Sequence, residues 1–272
     1  MPRSISMIFS STKSRRLKLR STPFPQEWRE ILHRRFPLLA CLPPEDQREL
    51  EGHMQVFLAE KQFEGCDGLV ITDEIRVVIA AQACLLLLHR ETDYYPDFKS
   101  ILVFPSTYYS RVTEEDEEQK RALAGQSWLR GPVILAWDSV LGGVSNPSDG
   151  HNVVFHEFAH KLDEEDGLAD GVPPLCSKCA PPERLSRYRS WAQILSKEYE
   201  ELCRASENGQ KSLLDEYGAT NPAEFFAVAT ECFFEKPRPL RQKYPQLYDE
   251  LKRFYQQDPA EWRWPTPSAQ QD

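Results

Sequence analysis

A chain of 272 residues, 40% hydrophobic and 28% charged, is long enough to bury a core and has the make-up of an ordinary globular protein. Its formal net charge of −9 argues against binding nucleic acid by bulk attraction. Seven cysteines, scattered without a framework of pairs, and first residues too polar for a secretory signal point to a reducing, cytoplasmic setting.

Residues 1–22 carry basic and hydroxyl side chains and no acid, which reads as a disordered basic tail, close in composition to a transit peptide. A single domain is expected over 23–264, with a helical part to about residue 100 and a metal-binding part after it; 265–272 is a second tail. Helices are predicted to begin at Pro25 and after Pro43-Pro44, since proline suits a first helical position. Another starts at Thr72, whose hydroxyl can cap it, with Asp73 and Glu74 in the favourable first turn. Its apolar run, Ile75 to Leu88, is interrupted by Arg76 and Gln82 and is too short to span a bilayer. Ile101–Tyr109 reads as an edge strand or a strand end because Pro105 interrupts it. The acids from Glu114 to Glu118 read as a solvated charge run. Gly131–Trp137 is a second strand, followed by a breaker-rich loop from Gly142 to Gly150. A helix follows from about His151 to Glu165, closed by Gly167, with more near 183–206, 222–235 and 245–257. Few strands, many helices and no βαβ rhythm give an α+β fold, mainly helical.

The chemistry sits in the sequence Val153-Val-Phe-His156-Glu157-Phe-Ala-His160. Residues four apart share one helix face, so His156 and His160 can converge on one cation. Glu157 lies about 100° round the helix. It can stand beside the ion without ligating it and take a proton from a water the ion activates. Val154, Phe158 and Leu162 form a separate apolar side that would bury the helix. A third protein ligand is needed for an open zinc site. Asp166 is six residues past His160, but Asp163 stands where a chain-reversing glycine would be required. The other candidate is Glu224, which with Asn221 and Pro222 also fits a capping box. Spacing leaves cap and ligand open.

The stretch Asp149–Gly167, the segment Asp170–Pro174 and the run Tyr217-Gly-Ala-Thr-Asn-Pro-Ala-Glu224 through Glu231 resemble the Mlc titration factor A family of bacterial zinc peptidases, over roughly residues 23–262. That family resembles the glutamate-zincins. The resemblance implies a zincin-like fold with a small sheet beside the HExxH helix, one Zn2+ held by His156, His160 and Glu224, and Tyr217 facing the zinc site. It implies peptide-bond hydrolysis, in an aminopeptidase mode, with Glu157 as general base and Tyr217 as hydrogen-bond donor to the oxyanion. The family's namesake sequesters a glucose-responsive transcriptional repressor. The alternative function is therefore a regulatory binding protein without catalysis, its zinc mainly structural. The expected partners are a peptide and a repressor protein. Asp163 and Glu231 are candidates to orient a ligand histidine, and the 131–137 strand is a candidate edge for substrate. Cys176-Ser-Lys-Cys179 departs from the resemblance and reads as incidental loop cysteines.

Overall fold

The computed structural model describes residues 11–106, 131–176 and 179–263. Helices dominate: α1 (Thr12–Arg20), α2 (Gln26–Arg35), α3 (Pro44–Glu60) and α4 (Asp73–Leu85). After a small sheet come α5 (Trp137–Ser145), α6 (Val153–Asp163), α7 (Pro181–Glu207), α8 (Pro222–Glu235), α9 (Pro237–Lys243) and α10 (Pro245–Tyr255). One hydrophobic core extends from Phe24 to Trp262. The expected α+β, mainly helical, zincin-like fold is what the chain adopts. Among the described residues, no helix is long and apolar enough to cross a membrane.

The sheet has strands β1 (Gln62–Gly65), β2 (Ser100–Phe104) and β3 (Val133–Ala136), in that order and all parallel. Helix α4 lies between β1 and β2 in the chain, so a βαβ unit is present where none was expected. Strands of four or five residues carry too little periodicity to announce it. Strand β2 is central rather than an edge, and Pro105 falls at the strand end, just past Phe104, as the strand-end expectation has it; residues 107–109 of the expected strand lie outside the described residues. In β3, Val133 and Leu135 turn inward while Ile134 is 37% exposed. The 131–137 strand ends early, because Trp137 opens α5, which also takes Gly142 and Gly143 from the expected loop. The expected Glu114–Glu118 charge run lies outside the described residues.

Two further expectations change. Residues 12–20 of the expected basic tail form α1, capped by Ser11 and joined to α3 by Arg15 and Arg16 on Glu60 at 2.7 and 2.8 Å. Composition hid this because the neutralising acid lies 44 residues on. Cys176 and Cys179 are disulfide-bonded rather than incidental; their Cα atoms are 5.6 Å apart, inside the range a disulfide spans.

Thr72 caps α4 as expected, its hydroxyl accepting from Ile75 N at 3.3 Å. All the residues from Val77 to Leu85 behind it are buried. Thr72→Ala is expected to cost about 1 kcal/mol in urea-induced unfolding, with no change in metal content.

Candidate active site

Helix α6 starts at Asn152, whose Oδ1 accepts from Val154 N and Phe155 N, each at 3.1 Å. Gly143 makes this possible: a Cβ there would approach Asn152 Nδ2 to 3.0 Å. The helix then buries Val154, Phe155, Phe158 and Leu162. Phe158 packs against Tyr95 and Phe57, ring centroids 4.9 and 5.7 Å away, and Phe155 against Phe234 of α8 at 5.3 Å. With one side fixed in the core, the opposite side presents His156, Glu157 and His160 to a cleft of about 770 Å³ that Pro132, Ile134, Leu168 and Tyr217 also line.

The first turn of α8 supplies the third group. Asn221 Oδ1 accepts from the Glu224 backbone N–H at 3.0 Å, which is half of a capping box. The Glu224 carboxylate does not complete the box. It turns to the histidines, with Oε2 at 2.9 Å from His156 Nε2 and 3.2 Å from His160 Nε2. The two imidazole nitrogens are 3.2 Å apart. Three ligands held about 2.0–2.1 Å from one ion at tetrahedral angles would lie about 3.3 Å apart, so these separations fit zinc.

Electrostatics agree with the geometry. His156 Nδ1 faces Glu231 Oε1 at 2.8 Å, which leaves Nε2 turned to the ligand cluster. Burial opposes charge on His156, yet hydrogen bonds to Glu224 and Glu231 outweigh it and raise its pKa to about 10. Hydrogen bonds and charge from His156 and His160 hold the Glu224 carboxylate, against burial, down to about 2. This field favours a positive charge at the meeting point. Glu157 is outside the three-atom cluster; burial raises its pKa, opposed by His160 and His156, which makes it a stronger base than a solvated carboxylate. Tyr217 is 53% exposed, its ring 5.9 Å from that of His156. Burial of its hydroxyl and the nearby Glu224 and Glu157 raise its pKa, so it stays a phenol able to donate.

The other candidates separate. Glu231 contacts His156. Asp163 does not hydrogen-bond a histidine; its Oδ2 accepts from Gly171 N at 2.8 Å, and burial lifts its pKa to about 7. Gly171 has φ +79, and a Cβ there would meet Pro222 O at 2.4 Å. Trp191 Nε1 donates to Gly171 O at 2.9 Å. Asp163 thus fixes a loop against the start of α8, where Glu224 sits. Asp166 accepts from Leu168 N at 3.0 Å on the exposed turn beyond α6 and is not among the convergent ligand atoms.

Sequence comparison supplies an independent line. The model of the glucose-regulated metallo-peptidase M90 family matches residues 9–256. The chain belongs to that family. It is 44% identical over 251 residues to an uncharacterised protein of Synechocystis sp., covering 90% of this chain and 89% of the other. It is 31% identical over 242 residues to Mlc titration factor A of Yersinia pestis and of Yersinia pseudotuberculosis, covering 86% of this chain and 85% of each relative. M90 membership agrees with the resemblance read from the motifs, and a metallo-peptidase family implies a metal ion.

Sequence reasoning missed the joint behind this M90 site. Asn152 N donates to Glu231 Oε2, and Asn152 Nδ2 donates to Glu235 Oε1 at 3.0 Å. Gly150 N donates to Glu235 Oε2 at 3.0 Å. Asn before an apolar run is a capping signal that points to Asn152; nothing local points to Glu235. With its Asn152 and His156 bonds, Glu231 ties cap and ligand together. Glu231→Gln is expected to weaken zinc about 10–100-fold in chelator competition, at unchanged fold.

Proposed function

We propose that this chain is a zinc-dependent metallopeptidase that hydrolyses short peptides in the cytoplasm, with an aminopeptidase mode as the first to assay. The observation that carries the reading is the meeting of His156, His160 and Glu224 at one point, with Glu157 beside it in a cleft. His156, His160 and Glu224 would hold the zinc. When bound, zinc supplies Lewis acidity and brings the pKa of a coordinated water towards about 7.

The chain's own groups do the rest. Substrate lies in the cleft along β3, whose Ile134 faces outward and lines it, by addition to the strand edge. Glu157 takes a proton from the attacking water and returns it to the leaving amine. Tyr217 donates a hydrogen bond to the carbonyl oxygen as it gains charge. Three protein ligands of mixed histidine and carboxylate type suit catalysis better than a structural site, which is usually closed by four ligands and rich in cysteine.

The test is hydrolysis of short peptides, lost on chelation and restored by Zn2+. Protein that binds zinc and cleaves no peptide would defeat the proposal. Tyr217→Phe is expected to lower kcat about 10²–10³-fold with little change in KM. An equal fall in kcat at unaltered rates of single-turnover cleavage would place Tyr217 in product release instead.

A second reading rests on the relatives named Mlc titration factor A. By that name they titrate Mlc, and this chain would bind a repressor protein through a surface independent of the zinc chemistry.

A further inference from the structure

Glu164 lines the cleft described above, but Glu165, the next residue, lines a separate cavity of about 320 Å³. That cavity forms where five segments meet: the chain after α4, the turn after α6, the loop at Pro174–Cys176, helix α7 and the end of α10. Arg90, Arg187 and Arg253 line it, together with Glu91, Glu165 and Gln256. Three guanidiniums stand around one small cavity, and not all of their N–H groups meet an acceptor among the described residues.

Arg253 is satisfied by Glu250 Oε1 at 3.0 Å, the atom that also accepts from Ser190. The other two are not. Nη1 of Arg90 and both Nε and Nη2 of Arg187 are buried and donate to no partner among the described residues. The Arg90 guanidinium lies over the Phe254 ring at 3.9 Å, which fixes its plane without supplying an oxygen. Burial pulls both arginines below their usual pKa, as expected of cations the fold has not neutralised. The acids nearby do not resolve this. Glu250 Oε2 is itself buried without a partner, although its charge acts on Arg187. Glu165 acts on Arg90 through its charge, and its own carboxyl is pushed up to about 7 by burial. Nε and Nη2 form the edge of a guanidinium that grips an oxyanion with two parallel bonds.

We propose that this cavity binds a phosphate group, free or carried by a small phosphate monoester, on the guanidiniums of Arg90 and Arg187. The bound group would supply acceptors for the nitrogens that have none among the described residues. It would also join the turn that follows the zinc helix to α7 and α10. The site is separate from the peptidase chemistry and does not rest on it.

The test is calorimetric titration of the full-length, zinc-loaded protein with inorganic phosphate and with glycerol 3-phosphate at constant ionic strength. Saturable binding with a Kd of about 1 mM or tighter is expected for at least one of them, and the tighter of the two identifies the source. Arg187→Gln should weaken it about tenfold or more and leave zinc content and peptide hydrolysis unchanged. Arg90→Gln should do the same, and should it fail to fold, Arg187→Gln carries the test alone. Absence of saturation overturns the proposal. So does binding that survives Arg187→Gln, the outcome expected of phosphate on the zinc itself. Succinate binding tighter than either phosphate compound overturns the assignment to phosphate.

Discussion

Glu157→Gln is expected to lower peptide hydrolysis by about 10²–10⁴-fold while zinc content and thermal unfolding stay at wild-type values. Glutamine keeps the size of the side chain and loses the ability to accept a proton. The residue is on α6 between the two histidines, so its backbone is held by the buried face of Val154, Phe158 and Leu162 and is indifferent to the change. Burial that raises the carboxyl pKa gives the native side chain a driving force that a solvated glutamate does not have. Metal analysis and initial rates on the same preparation are sufficient. Cleavage at the original rate would remove Glu157 from the reaction. The same variant separates the two functional readings: if hydrolysis disappears and binding of a repressor protein is untouched, the two activities are independent.

Glu224→Ala has the second large effect. Zinc stoichiometry should fall from one per chain towards zero in the presence of a competing chelator, and hydrolysis should vanish with it. The loss exceeds the about 10–100-fold expected on removing a partner that merely orients a ligand. The fold should persist, because Asn221 caps the backbone N–H of Glu224 and not its side chain. That separation distinguishes ligand from cap, the two roles the local pattern allows. Asp166→Ala is the companion measurement, with zinc expected to stay, since Asp166 engages only the Leu168 amide. Retained zinc in Glu224→Ala together with lost zinc in Asp166→Ala would reverse the assignment.

The legible parts of this protein are those encoded by short-range periodicity. The spacing of His156 and His160 and the apolar residues between them specify a half-buried helix with ligands on one side, and α6 has that form. The Thr72 cap and the proline-led starts of α2, α3 and α8 were equally readable, because a cap satisfies donors within three residues of itself. Strand β1 was not. Gln62–Gly65 has one large apolar residue, Phe63, and its place in the sheet comes from parallel pairing with Ser100–Val103. The α1 helix was hidden for a similar reason, since its cations are neutralised by Glu60 and Asp93 rather than by neighbours.

The sequence by itself therefore determined how His156, Glu157 and His160 stand on one helix. Two histidines one turn apart with a glutamate beside the first are a local property of one helix, set by 3.6 residues per turn. Spacing left Glu224 between cap and ligand, and only the tertiary structure brings its carboxylate to the two imidazoles and that of Glu231 to the far nitrogen of His156. Glu224 and Glu231 lie 68 and 75 residues beyond His156, too far for helix periodicity to relate them to it. The packing of α6 on α8, fixed by Asn152, Gly143 and the aromatic core, brings them to the imidazoles and turns the nearer aspartates to backbone amides. Directional contacts between distant segments depend on where the elements pack, and that is settled by the burial of apolar faces over the whole chain.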